Sequence, residues 1–226
     1  MAAIPTYNEE ASVAEVILRA ARYVDKVLVV DDGSTDSTCK IARGIGAMTA
    51  RHRKNLGYGA AIRSCFKIAK EMDADTLVIL DGDGQHDPNE IPKVLEPIEK
   101  GEADIVIGSR FLSPTIKEMA FYRRLGIVLI NLITNFITKS KFSDAQSGFR
   151  AYSRNAINDI TIHENGMGAS SEILVSAARF RLRIKEVQVS CKYVDDGSTE
   201  NPILHGANVI MAILRAALRE NEDHSI

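Results

Sequence analysis

The chain has little that would tie it to a disulfide framework, a nucleic acid or a bilayer span. Its 226 residues include three cysteines, Cys39, Cys65 and Cys191, odd in number and far apart. That supports neither a disulfide scaffold nor a thiolate zinc site, and it points to a reducing compartment. Acidic and basic side chains nearly cancel, 30 against 28 for a net charge of −2. A nucleic-acid binder needs a basic excess, and there is none. No run of about 18 uninterrupted apolar residues occurs, so nothing reads as a membrane span. No signal peptide is visible. No G-x-G-x-x-G follows the first apolar segment, which counts against an ordinary dinucleotide dehydrogenase. No G-x-x-x-x-G-K-[ST] appears, which counts against a P-loop nucleotidase. The length suits a single domain with one sizeable core.

What is present is an alternation of short apolar runs and helical periodicities, the pattern of a mostly parallel sheet with crossover helices. Met1 to Ile4 is a short strand that looks clipped before Pro5. Asn8 reads as the N-cap of a helix marked by Val13, Val16, Ile17 and Ala20. Lys26 to Val30 is a strand by its β-branched content. A helix from Thr38 to Arg43, a strand over 48–51 and a helix from the glycine-rich loop 55–59 to about Met72 follow. Then come a strand over 77–80, a helix entered through Pro88 and Pro92, and a strand over 104–108. Polar segments follow Ile4, Val30, Leu80 and Ile107. In a parallel sheet these lie on one edge, where open α/β sheets bind ligands. Asp31, Asp32, Asp81, Asp83 and Arg110 therefore face one crevice.

The sharpest feature is Leu77-Val78-Ile79-Leu80-Asp81-Gly82-Asp83-Gly84-Gln85-His86-Asp87. Residues i and i+2 of extended chain point to the same side, so Asp81 and Asp83 aim at one point beyond a strand end. Two carboxylates so close repel each other. A divalent cation such as Mg²⁺ or Mn²⁺, which binds through one or two carboxylates plus substrate phosphates, resolves this. The tripeptide alone also occurs as a plain polar loop; the convergence of four strand ends is the stronger sign. Blander readings stand beside the others. Asp31 or Asp32 also suits a helix cap, Asp36 reads as a cap, and His86 and His205 as structural or peripheral. Glu172 is either a core-edge acid or a catalytic base. Asp-Gly-Ser-Thr recurs at 32–35 and 196–199 with no surrounding period, a coincidence.

The second half changes character. A helix spans Leu125 to Lys141, or 119–139 on its apolar content, with Asn131, Thr134, Asn135 and Thr138 as a narrow polar stripe. Lys117, Arg123 and Arg124 precede it, and Lys139 and Lys141 follow. It is either a core helix or one lying at a membrane surface or lining a lipid groove. A polar turn over 143–150 leads to a strand. A helix over 170–180, a strand over 183–193 and an amphipathic helix marked by Val209 to Leu218 complete the pattern.

Several stretches together resemble glycosyltransferase family 2. They are Ile4-Pro5-Thr6-Tyr7-Asn8-Glu9, Val29-Val30-Asp31-Asp32-Gly33-Ser34-Thr35-Asp36, Asp81-Gly82-Asp83-Gly84-Gln85-His86 and Gly108-Ser109-Arg110. Asp144-Ala145-Gln146-Ser147-Gly148-Phe149-Arg150 is similar to the D-x-x-S-G-F-R of that family's polyprenyl- and dolichyl-phosphate hexose (mannose or glucose) synthases. The resemblance covers nearly the whole chain, in family order. It implies a GT-A, Rossmann-like α/β fold, with residues 1–112 as the nucleotide-sugar half and 113–226 as the acceptor half.

The resemblance further implies a nucleotide-sugar donor, a UDP-hexose or GDP-mannose, and a polyprenyl or dolichyl phosphate acceptor. Pro5, Tyr7 and Glu9 would touch the nucleotide, and Asp32 the base with Asp31 beside it. Asp81 and Asp83, with Gln85 adjacent, would hold Mg²⁺ or Mn²⁺ and the diphosphate. Arg110, Arg123 and Arg124 would meet donor diphosphate or acceptor phosphate. Ser147 and Lys192 join the substrate-binding set, and Asp83, Arg110, Arg123 and Glu172 the catalytic set. Many relatives have an arginine near Cys191-Lys192-Tyr193; lysine keeps the charge and loses the fork. Larger relatives carry carboxyl-terminal membrane helices, so a short or truncated member is expected, peripheral at the cytoplasmic face of a membrane. Two alternatives remain: a family transferase with a sugar hydroxyl acceptor, and a nucleotide-sugar-binding subunit without turnover.

Overall fold

The computed structural model describes residues 1–112, 121–192 and 202–223; the side chains of 121–125, 202–207 and 219–223 are outside the description. Seven strands form one sheet: β1 (Ala2–Thr6), β2 (Val27–Asp31), β3 (Met48–Arg51), β4 (Thr76–Ile79), β5 (Ile105–Ser109), β6 (Arg150–Ser153) and β7 (Ile184–Gln188). Their order is β3-β2-β1-β4-β6-β5-β7. All pairings are parallel except those of β6, which runs antiparallel to β4 and β5. Because both neighbours oppose β6, β4 and β5 point the same way. The carboxyl ends of β1, β2, β4 and β5 therefore share one edge, as the alternation predicts.

Every residue of β1, β2 and β5 is buried, which is why these strands read as continuous apolar runs. Alternate side chains go to opposite faces. Ile4, Val29, Val78, Leu80 and Val106 meet α1 (Val13–Ala20), α2 (Thr38–Gly44) and α4 (Ile91–Glu99). Leu28, Val30, Leu77, Ile79 and Ile105 meet α3 (Tyr58–Glu71), α6 (Arg154–Asp159) and α7 (Ala169–Arg179). The long helices α5 (Phe121–Thr138) and α8 (Pro202–Asp223) pack with α7 through Ile130, Val175, Val209 and Ile213.

The structure departs from the pattern reading in particular places. Asn8 does not cap α1, which Ser12 precedes. It sits in the left-handed region at φ 58°, which asparagine tolerates, and its Oδ1 accepts from Thr35 N at 2.9 Å. Helix α6 was not expected: six residues are too few for periodicity, although Ser153 Oγ accepts from Ala156 N at 3.3 Å as its cap. Helix α5 stops at Thr138 rather than Lys141, where Lys139 turns left-handed at φ 52°. Lys117, Tyr193 and the second Asp-Gly-Ser-Thr lie outside the described residues, as do the side chains of Arg123, Arg124 and His205.

The two faces of α5 differ. Its polar stripe points inward: Asn131 and Thr134 are buried. Its apolar face points outward, with Leu129 50%, Leu132 61% and Phe136 85% exposed. On α8, Met211, Leu214 and Leu218 are exposed as well. Among the described residues no helix is long and apolar enough to cross a membrane.

The loop ahead of α7 rests on the start of α3. Gly59 N donates to Asn165 O at 2.7 Å, and a Cβ on Gly59 would lie 2.2 Å from Glu164 O. Gly59→Ala must therefore shift backbone, and a loss of roughly 1–3 kcal/mol is expected. Gly126, inside α5, has nothing within 4 Å of the equivalent position, so Gly126→Ala should gain about 0.5–1 kcal/mol. Urea unfolding of both variants checks the opposite signs; a neutral Gly59→Ala would disprove the close approach.

Candidate active site

A cavity of about 490 Å³ opens at the shared strand edge. Pro5 and Tyr7 reach it from the end of β1, Asp32 from beyond β2, and Asp81 and Asp83 from beyond β4. The second half contributes Glu164, Met167 and Asn208. Glu9 lines it too, held by its backbone N donating to Thr38 Oγ1 at 2.8 Å.

The acidic residues near the cavity divide by what fills their lone pairs. Asp31 is wholly buried: Oδ1 accepts from Ser34 N at 2.9 Å, and Oδ2 pairs with Arg51 Nε at 2.9 Å. It shapes the turn and does not line the cavity. Asp32 Oδ1 meets His52 Nδ1 at 2.6 Å and Leu56 N at 2.9 Å, and Oδ2 meets Gly57 N at 2.8 Å. Asp32 thus builds the 52–57 wall, leaving Oδ2 room for one more donor. Asp36 accepts from Thr38 N and Glu10 N, the cap expected of it.

Asp81 and Asp83 are different. Asp83 Oδ1 accepts from Gln85 N at 2.9 Å, bending the turn that carries it. Burial, and after it the like charge of Asp83, push the Asp81 carboxyl up to about 7, while Arg110 and Arg150 pull the other way. Behind Asp81, a Cβ on Gly148 would fall 2.2 Å from its Oδ2, so any side chain there would displace the carboxylate. The pair suits a divalent cation, which would relieve the repulsion. Among the described residues no three His, Cys, Asp or Glu side chains converge as a metal-binding group. Such an ion would complete its shell with phosphate and water oxygens.

The remaining predicted residues fall in several places. Arg110 is held by Asp144, which accepts from its Nε at 2.7 Å, its Nη2 at 2.8 Å and its backbone N at 3.1 Å. Gln85 is not a cavity residue: its side-chain oxygen faces Cys191 Sγ at 3.9 Å, and its carbonyl accepts from Lys192 N at 2.8 Å. Lys192 itself is exposed. Ser147 is fully buried and donates to Gly108 O at 2.6 Å, fastening the end of β5. Glu172 is buried, and its Oε2 accepts from His163 N at 3.0 Å and Glu164 N at 2.8 Å. It anchors the 163–164 loop and stands outside the cavity, so the base reading gives way to the core-edge one. His86 is structural: burial first, then Arg110, pushes it down to about 4, and it packs on Phe149.

Three residues escaped the sequence reading. Asp144 opens the D-x-x-S-G-F-R stretch, but nothing local pairs it with Arg110. Arg150, at its other end, is 2% exposed and donates to Ser170 O at 2.8 Å and Ala145 O at 2.6 Å. Glu164 stands in the cavity with Oε1 held by Asn165 N and Gly166 N. No periodicity or spacing marks it.

The Asp81 shift has a sign that can be measured. Between 3.8 and about 7 the folded chain keeps a proton that the unfolded chain has released. Stability therefore falls as pH rises across that window, and the full cost is present above it. Asp81→Asn should raise the Tm of the ligand-free protein at pH 8 and change it little at pH 4. A lower Tm at pH 8 would show that the charge is compensated.

Comparison with known proteins gives the family and the fold. The chain matches Glycosyl transferase family 2 over residues 2–161. It is 31% identical over 229 residues to a UDP-N-acetylglucosamine–dolichyl-phosphate N-acetylglucosaminyltransferase of Methanococcus voltae, covering 92% of this chain and 89% of that protein. It is 30% identical over 217 residues to a dolichyl-phosphate hexose transferase of Haloferax volcanii, covering 95% and 92%. In fold it is similar to glucosyl-3-phosphoglycerate synthase from Mycobacterium tuberculosis, solved with Mn²⁺ and UDP-glucose. The TM-score is 0.74 at 21% identity, over 96% of this chain and 78% of that one. With the GT-A-like sheet, the carboxylate pair at its edge and this match, the chain belongs to glycosyl transferase family 2.

Proposed function

We propose that the chain moves a hexose, with inversion, from a nucleotide-sugar to a polyprenyl or dolichyl phosphate while seated on the cytoplasmic face of a membrane. The observation that carries this is α5, whose Leu129, Leu132 and Phe136 face outward on a chain that also holds a polar, acid-lined cavity. A water-soluble donor suits the cavity, and an isoprenoid tail suits the outer face. The names of the Methanococcus voltae and Haloferax volcanii relatives support the acceptor class. A UDP-hexose is the first donor to try and GDP-mannose the second.

The chemistry follows from the residues. An acceptor phosphate oxygen is already anionic, so it attacks the anomeric carbon without a general base. That fits the binding of the Glu172 carboxylate by backbone N–H groups. The bond from the anomeric carbon to the donor's phosphate oxygen breaks, and the nucleoside diphosphate leaves with the electron pair. Asp81 and Asp83 would hold Mg²⁺ or Mn²⁺, which when bound neutralises charge on the diphosphate. Arg110, oriented by Asp144, adds a guanidinium to the same task. The side chains of Arg123 and Arg124 belong to this proposal on the family resemblance alone. A second reading rests on Glu164: a carboxylate in the cavity suits base catalysis on a sugar hydroxyl acceptor.

A radiochemical assay offering UDP- and GDP-sugars with a polyprenyl phosphate and a soluble sugar separates the readings. EDTA should abolish transfer and Mn²⁺ or Mg²⁺ restore it, with Asp83→Ala losing at least about two orders of magnitude in rate. Full activity in EDTA refutes the metal assignment. The wild type should co-sediment with anionic liposomes at low salt. Leu132→Asp and Phe136→Asp should lose that binding with Tm nearly unchanged, because both side chains are exposed. Unfolding of either variant would place its side chain in a core.

A further inference from the structure

The inward stripe of α5 grips the segment that carries Asp144. Asn131 Nδ2 donates to Ser143 O at 2.6 Å, and its Oδ1 accepts from Ala145 N at 2.8 Å. Asn135 Nδ2 donates to Phe142 O at 2.9 Å, and its Oδ1 accepts from Phe142 N at 2.7 Å. A side-chain amide offers one acceptor and two donors, so each asparagine matches a backbone N–H and C=O together. Asp144 lies between Ser143 and Ala145, the two residues that Asn131 holds, and Glu186 of β7 holds the segment from another side by accepting from Ser143 N and Asp144 N. The fork of Asp144 on Arg110 fixes the guanidinium in plane and direction. A shift of α5 therefore moves Asn131, then residues 143–145, then Arg110.

We propose that Asn131 and Asn135 are positioning residues that make Arg110 follow α5, so that seating the outer face of α5 on a lipid surface sets the guanidinium for transfer. The inference rests on the membrane-seated transferase reading, and it adds to it a route by which the surface regulates the site. Neither asparagine lines the cavity; both act through Arg110. Their outward neighbours Leu129, Leu132 and Phe136 are the groups that would feel the lipid.

The test uses the full chain with Asn131→Ala, Asn135→Ala, Arg110→Lys and the double variants. One arm measures hydrolysis of the nucleotide-sugar by water with no acceptor and no membrane. Here Asn131→Ala should lower kcat by roughly tenfold, the scale of a small misplacement in a site, with donor KM unchanged. Combined with Arg110→Lys it should be no slower than Arg110→Lys alone, because both act through one group. The other arm measures transfer to a short-chain, soluble polyprenyl phosphate with and without phosphatidylglycerol vesicles. Wild-type transfer should rise several-fold with vesicles. Asn131→Ala should co-sediment equally well but show no rise. Additive losses in the double variant, or a raised donor KM with a lowered Tm, overturn the coupling. A flat wild-type response to vesicles overturns the lipid half. Wild type that transfers to no lipid phosphate yet keeps the non-additive hydrolysis refutes the acceptor reading and leaves the coupling standing. Should Asn131→Ala not fold, Asn135→Ala, which is less buried, carries the same comparison.

Discussion

A half-buried carboxylate at the cavity, facing a second one of the same sign, is the constraint around which this structure is arranged. Asp81 closes a buried strand, with Gly148 pressed behind it and the cavity in front. The cations nearby act at a distance. Arg110 is forked by Asp144, and the terminal nitrogens of Arg150 go to the carbonyls of Ser170 and Ala145. Its Nε is buried with no hydrogen-bond partner among the described residues. Incompletely compensated charge in an interior is costly, and the neighbours of Asp81 reduce that cost without removing it. The site keeps charge that its neighbours do not cancel, the condition under which a cation would gain most.

Three other acids hold irregular backbone in place. Asp32 collects Leu56 N and Gly57 N, Glu172 collects His163 N and Glu164 N, and Glu186 collects Ser143 N and Asp144 N. Each carboxylate replaces the ladder partners that a loop lacks, so irregular backbone keeps one shape beside the sheet. Each of these three accepts two backbone N–H groups, where Asp83 accepts one from Gln85.

The sheet edge, its strand ends and the Asp81/Asp83 pair were legible in the sequence, since they follow from local runs and from residues one or two positions apart. Family resemblance carried the placement of Pro5, Tyr7 and Glu9 around the cavity. The roles of Glu172, Gln85 and Asp144 were not legible, because their partners come from loops 8 to 106 positions away. The direction of β6 was hidden for a similar reason: four residues, Arg150 to Ser153, carry no sign of which way they run. The polar stripe of α5 is visible in the sequence, but periodicity cannot say which face of a helix points inward.

The antiparallel strand has a consequence for the order of assembly. β4 and β5 never touch; β6, made some 40 residues after β5, is the only strand joining them within the described sheet. As the chain emerges from its amino terminus, β3, β2, β1 and β4 can form a sheet whose β4 edge is still unpaired, and β5 has nowhere to dock. Arrival of residues 147–153 closes that edge and brings Gly148 and Arg150 up to Asp81 in the same event. Asp81 thus gains Gly148 behind it only when the two parts of the sheet are joined. A nascent chain stopped before that point carries an open edge that invites pairing with other chains.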